Sequence, residues 1–321
     1  MIAGPLNSGD AGRVSRRAAL GGGLCLCCLP ARTRAAAAGP MAMDQVAPGV
    51  FVRRGVDQDA SGENLDAIAN IGFIVGRDAV LVTDSGGSLA DGERLRAAIR
   101  ANTGKPIRYV VISHVHPDHA FGAAAFRADN PVFVGHARLA AALHARGAYY
   151  RRRLAELLGP DRAGDVVLPT MAVSERAELD LGDRVVALTA HRVAHTDCDL
   201  SLQDRASGLL FPADLLFVRR APALDGSLLG WLRELDRLAA AGAGRAVPGH
   251  GPVAVDWEPA AADLRRYLAA LRDGTRAAIA GGAGIDDAVK TVAQSERPRW
   301  VLFDDYNGRN VTEAYKELEW E

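Results

Sequence analysis

The chain has 321 residues, 49% of them hydrophobic, which is enough to bury a large core in one α/β domain. Lys and Arg number 38 against 39 Asp and Glu, for a formal net charge of -1. That balance excludes a nucleic-acid binder built on basic excess, and no charge run is long enough to make a membrane-binding patch.

The N-terminus differs in kind from the rest. Ser15-Arg16-Arg17-Ala18-Ala19-Leu20 opens it, a short Gly/Leu/Cys stretch follows, and Ala35 to Ala38 close it. A charged start, a weakly apolar middle and a small-residue end are the layout of an export signal. The arginine pair resembles a twin-arginine signal, which carries folded proteins across the bacterial inner membrane. The apolar middle falls short of the roughly 20 residues a bilayer span needs. The expectation is cleavage near Ala38, an export signal over 1–38, a single domain over 39–321, and a periplasmic address. Cys25, Cys27 and Cys28 lie in the signal, so Cys198 is left alone, without an internal disulfide partner. A buried packing role is expected for it.

From residue 46 the pattern is strand, turn, strand. Val50–Arg54 alternates weakly, and Asn70–Val75 with Ala79–Thr83 flank Gly76-Arg77-Asp78, a hairpin signal. The polar stretch Asp57 to Asp66 is a loop. Ser88 to Asn102 has helical spacing, with Ser88 as N-cap. Ile107–Ile112 is a short apolar run expected to form a buried strand, and Ala120–Phe126 reads as the first turns of a helix. Pro131–Val134 is a strand. His136 and His144 are expected to be exposed on the alanine-rich helix that follows. That helix continues through Tyr149-Tyr150-Arg151-Arg152-Arg153. Strands are expected at Ala177–Leu181, Arg184–Thr189, Leu200–Gln203 and Arg245–Pro248, and helices at Leu228–Ala241, Pro259–Ala280, Ile285–Ser295 and Asn310–Trp320. His191 is assigned a strand or ligand-supporting position.

Between the strand Ile107–Ile112 and the next helical turn lies Ser113-His114-Val115-His116-Pro117-Asp118-His119. Three of the eight histidines of the chain stand in this one loop. His114 and His116 are two apart, so in extended chain they project to one side. Pro117 ends the extended run, and Asp118 and His119 turn elsewhere. One pair can hold one metal ion and the next pair a second. Imidazole and carboxylate are the donors zinc takes when no thiolate is present.

The loop resembles the His-x-His-x-Asp-His signature of the metallo-β-lactamase superfamily, and four further motifs follow the order of that family. They are Val80-Leu81-Val82-Thr83-Asp84, Ala194-His195-Thr196-Asp197, Leu209–Asp214 and Gly249-His250-Gly251. Ala194 and Cys198 stand where the family often has glycine. The resemblance covers about residues 49 to 255. It implies a four-layer αββα sandwich: two mixed β-sheets face to face, with helices outside.

The resemblance also implies two Zn(2+) ions. His114, His116 and His195 would hold the first, Asp118, His119 and His250 the second, and Asp214 would bridge them. Asp84 and Thr196 would support the ligands from behind, and Asp118 would be the catalytic carboxylate. The implied activity is a zinc-dependent hydrolase whose metal-bound hydroxide attacks an ester, thioester, lactone or lactam-type bond. The alternatives are a β-lactamase proper, a mononuclear iron sulfur dioxygenase using His114, His195 and Asp214, and a non-catalytic metal-binding accessory protein. The C-terminal stretch Asn310 to Glu319 resembles exported hydrolases associated with sulfur oxidation and quinoprotein dehydrogenases. From this a periplasmic dehydrogenase is expected as partner beside a small-molecule substrate, with no nucleic acid and no lasting membrane anchor.

Overall fold

The computed structural model describes residues 41–321. The expected export signal, residues 1–38, lies outside the described residues. Among the described residues no helix is long and apolar enough to cross a membrane.

Among the described residues thirteen strands form two sheets. The first sheet takes its strands in chain order: β1 (Asp44–Ala47), β2 (Val50–Arg53), β3 (Ile71–Val75), β4 (Val80–Thr83), β5 (Ile107–Ile112), β6 (Val132–His136) and β7 (Met171–Val173). β1 to β4 are antiparallel, and β4 to β7 run parallel. The parallel half needs helical crossovers. They are α1 (Leu89–Asn102) and α3 (Leu139–Leu158), with the one-turn α2 (Pro117–Ala120) after the histidine loop. A second short turn, α4 (Pro160–Ala163), follows α3 and leads to β7, the last strand of this sheet.

That sheet runs in the order β13 (Val255–Asp256), β12 (Arg245–His250), β11 (Leu210–Phe217), β10 (Leu200–Asp204), β9 (Val185–Ala190), β8 (Arg176–Asp180). Its parallel pair, β11 and β12, is joined through α5 (Leu228–Ala240). The chain ends in α6 (Trp257–Ala280), α7 (Ile285–Thr291) and α8 (Phe303–Leu318).

Three apolar clusters fix the layering. Val50, Ile74, Leu81, Val186, Leu202 and Phe211 pack between the two sheets. Phe73, Val82, Leu95, Ile99 and Phe126 lie under α1 on the outside of the first sheet. Leu216, Trp231, Leu235, Leu264, Tyr267 and Val311 seal the second sheet against α5, α6 and α8. Each such side chain contributes about 1.5–3 kcal/mol on burial. The result is the four-layer αββα sandwich. Ser88 caps α1, its hydroxyl accepting from the Asp91 amide, and Asp91 is paired at 2.5 Å with the buried Arg53.

Three expectations change. Phe121–Asp129 is a 3-10 helix, not an α-helix. There Gly122 runs so close to Gly92 of α1 that a Cβ on Gly92 would lie 2.2 Å from the Gly122 carbonyl oxygen. His136 is not an exposed helix residue: β6 continues through it, it is buried, and its Nδ1 accepts from the Arg138 amide at 2.9 Å. The last helix starts at Phe303, seven residues before the expected start, because its inward face is held by asparagines. Asn307 accepts from the Tyr267 hydroxyl at 3.0 Å, and Asn310 donates to the Pro222 carbonyl at 2.7 Å.

Candidate metal centre

All seven expected ligands meet at the strand ends. β4 and β5 are parallel, so Asp84 and the loop Ser113–His119 leave the first sheet on the same edge. From the second sheet come His195 on the β9–β10 loop, Asp214 within β11 and His250 at the end of β12.

Two donor groups form. In the first, ligand atoms of His114, His116, His195 and Asp214 all lie within 4.8 Å of one another; the second, equally compact, is Asp118, His119 and His250. His116 turns its Nδ1 inward, 3.1 Å from His114 Nε2 and 3.0 Å from His195 Nε2. Asp214 faces both groups. Its Oδ2 is 3.7 Å from His114 Nε2, 3.4 Å from His195 Nε2 and 3.4 Å from His250 Nε2, and its Oδ1 is 3.0 Å from His119 Nε2. Asp118 Oδ2 lies 3.2 Å from His250 Nε2 and 3.5 Å from His119 Nε2.

The donor set fits metal ions on two counts. His119 Nε2 and Asp214 Oδ1 are fully buried and face each other without making a hydrogen bond. Such atoms are costly unless something else satisfies them. Space is also reserved for the carboxylate: a Cβ on Gly249 would lie 1.9 Å from Asp214 Oδ1. An all N/O set without thiolate suits zinc and other first-row dications.

Behind the ligands, each outward imidazole nitrogen has a partner, which fixes ring orientation and tautomer. His195 Nδ1 donates to the Ala223 carbonyl at 2.7 Å and His250 Nδ1 to the Ile68 carbonyl at 3.0 Å. His119 Nδ1 donates to Asp84 Oδ2 at 2.8 Å, and Ser113 links Asp84 to His114 Nδ1. Asp84 (φ 56°) and Ala213 (φ 48°) are left-handed, a conformation that costs about 1–3 kcal/mol in a non-glycine residue. Here it bends the chain so that Asp84 and Asp214 point inward.

Electrostatics separate the two groups. Burial, with the neighbouring His119, pushes His114 well below the ordinary imidazole range, and burial pushes His195 down to about 3. Burial also acts to lower His119 and His250, but the Asp214 and Asp118 carboxylates more than offset it and raise both. For Asp118, burial acts upward, yet His119 and His250 hold the carboxyl below its usual range.

Thr196, expected to support a ligand, instead braces the loop. Its hydroxyl donates to Asp199 Oδ1 at 2.6 Å, and its amide to Asp199 Oδ2 at 2.9 Å. His191 bonds Ser201 and Glu234, not a ligand. Cys198 is buried in the cluster under the first sheet. The sequence reading missed Asp225, which holds His116 Nε2 at 3.0 Å and is itself gripped by Arg146. The turn that carries Asp225 hugs the His195 loop: a Cβ on Gly226 would meet the Ala194 carbonyl at 2.4 Å.

The metal-loop mouth opens into a cavity of about 630 Å³ whose lining includes Arg146, Tyr149, Tyr150, Arg220, Tyr306 and Arg309. Of the Tyr149–Arg153 run only the two tyrosines line it; Arg151 to Arg153 are exposed.

The model of the Metallo-beta-lactamase superfamily matches residues 66–250, more than half the chain and spanning all seven ligands. The chain belongs to the metallo-beta-lactamase superfamily. Its members are generally hydrolytic, and both donor groups sit where the family signature runs. Solved structures share the fold. A metallo-beta-lactamase from Pontibacter korlensis is 16% identical, with a TM-score of 0.58 over 71% of this chain and 98% of that one. A metallo-beta-lactamase from Erythrobacter litoralis is 18% identical, with a TM-score of 0.54 over 71% and 97%. A stereoselective inverting sec-alkylsulfatase from a Pseudomonas species is 16% identical, with a TM-score of 0.67 over 86% of this chain; this chain spans 50% of its length. Identities this low carry the fold and not the substrate. No curated protein matches the chain by sequence.

Proposed function

We propose that the chain is a dinuclear zinc hydrolase, exported to the periplasm, that cleaves an ester, thioester, lactone or lactam-type bond. The observation that carries the reading is Asp214, whose two carboxylate oxygens face both donor groups at 3.0–3.7 Å. A single-metal site would need no such sharing and no complete second group, which weighs against the mononuclear iron alternative. When bound, zinc ions would supply Lewis acidity, polarising a carbonyl-type oxygen and lowering the pKa of water toward about 7.

The protein's own part follows from its side chains. Asp118 lies at the cavity floor and stays ionised, so its carboxylate can orient a water, take its proton and pass it to the leaving group. His250 holds Asp118 in place. Phe217 stacks on His250 with ring centroids 4.9 Å apart, and Trp231 covers His195 at 5.2 Å; both exclude water from behind the ligands. Arg146 and Arg309 at the mouth favour a substrate bearing negative charge.

The export reading rests on the twin-arginine-like segment alone, and a periplasmic dehydrogenase partner on the C-terminal resemblance alone. Metal content per chain, measured with hydrolysis of a lactam, thioester, lactone and sulfate-ester panel, tests the proposal. Turnover that needs two zinc ions per chain supports it. A metal-loaded chain that turns over nothing supports the accessory-protein alternative instead.

A further inference from the structure

A second cavity, about 980 Å³, shares no lining residue with the metal pocket. It lies over the outer face of the second sheet, beside α5. Among its lining residues are Ser201 of β10, His191 just after β9, and Glu234 of α5. Ser201 Oγ is 2.7 Å from His191 Nε2, and His191 Nδ1 is 3.0 Å from Glu234 Oε2. All three residues are buried.

The order of these contacts sets the proton positions. Burial acts to raise the Glu234 carboxyl, but its bonds to His191 and Arg237 hold it below its usual range, so it is ionised. An ionised Glu234 accepts, so His191 Nδ1 carries the hydrogen. Nε2 then keeps its lone pair and accepts from the Ser201 hydroxyl. That is the nucleophile, base and orienting-acid arrangement by which a serine is activated. A fastener between α5 and the sheet would not need it, since an apolar trio of similar volume would hold as well or better. The cavity lining also includes Arg138, Arg176 and Arg192, none of which is in an ion pair among the described residues.

We propose that Ser201, His191 and Glu234 form a second, metal-independent acyl-transfer site that takes small carboxylic esters bearing an acid group. Ser201 Oγ bonds the acyl carbon while its proton passes to His191 Nε2. The carbon–oxygen bond to the alcohol breaks, and the alcohol leaves with that proton. Water then attacks the acyl-serine, His191 takes the water proton, and Ser201 leaves with it as the carboxylic acid departs. Glu234 offsets the charge on His191 at each stage, and the arginines draw in the acid group.

The test is labelling by an alkyl fluorophosphonate, read by peptide mass spectrometry. It uses the full chain both metal-loaded and after chelation. The expected result is an adduct on Ser201 in both preparations and none in Ser201→Ala. Labelling should slow at least about tenfold in His191→Ala and in the isosteric Glu234→Gln, and excess succinate should slow it in the wild type. Glu234→Gln decides the matter if the histidine variant does not fold. No adduct on Ser201, or one that forms as fast in Glu234→Gln, overturns the proposal. Labelling indifferent to succinate removes the acid-bearing substrate class. Neither result bears on the zinc reading, because chelation separates the two sites.

Discussion

The two donor groups of the metal centre are built from the same residue types but to different electrostatic designs. His114, His116 and His195 share one carboxylate inside the site, Asp214, with Trp231 against His195 and Asp225 behind His116. His119 and His250 stand among Asp118, Asp214 and, behind His119, Asp84. In the first group burial drives His114 and His195 neutral, which is the form a metal binds. In the second, carboxylates hold protons on the imidazoles until a cation displaces them. The same fold edge thus offers two imidazoles, His114 and His195, that are neutral without metal and two, His119 and His250, that must release protons first.

The largest effect should come from removing what the groups share. Asp214→Ala is expected to lower kcat/KM by about three orders of magnitude, the rate equivalent of several kcal/mol of lost charge stabilisation. Metal content should fall in both groups; a variant that keeps one group fully loaded would break the shared-carboxylate account. Supporting carboxylates should act mainly on the group they touch directly, since Asp84 reaches His114 only through Ser113. Asp84→Asn, behind His119, should weaken metal binding in the second group by about 10–100-fold, and Asp225→Asn, behind His116, should do so in the first. Competition with a chelating dye reads both affinities, and identical profiles for the two variants would contradict the assignment.

The pH dependence sharpens the contrast. Against burial, the Asp214 and Asp118 carboxylates raise His119 and His250, so both keep their protons to higher pH than a free imidazole and give them up on loading. Affinity of the second group should therefore fall as pH drops, by about tenfold per unit for each proton released. His114 and His195 are lowered and already neutral, so those two ligands should release no protons on metal loading between pH 6 and 8. Calorimetry in buffers of different ionisation enthalpy counts the protons. The smallest effect is expected at Cys198, where Cys198→Ala should cost about 1–2 kcal/mol in chemical denaturation. Burial pushes that thiol up to about 12, so native protein should resist iodoacetamide and label only on unfolding.

How much of this was legible depends on the range of the signal. The seven ligands lie in short motifs whose residue types state their own chemistry. The strands around them are apolar runs bounded by turns, so they too could be read. Asp225 could not, because its importance comes from His116, 109 residues away in the chain. The first turns of α8 were hidden because Asn307 and Asn310 face inward as hydrogen-bonding residues and do not register as an apolar stripe. His136 was misplaced because a strand end and a helix start look alike across Gly135-His136-Ala137. Thr196 was misjudged because hydroxyls next to a ligand serve loops as often as ligands, and Asp199 lay three residues on to receive it.

The central claim is that seven side chains hold two metal ions, one per donor group. Anomalous X-ray scattering at the zinc edge, on crystals of the zinc-loaded chain, tests it directly. The account predicts two peaks, one enclosed by His114, His116 and His195 and one by Asp118, His119 and His250, with Asp214 between them. A single peak, or a second peak away from His250, would contradict it.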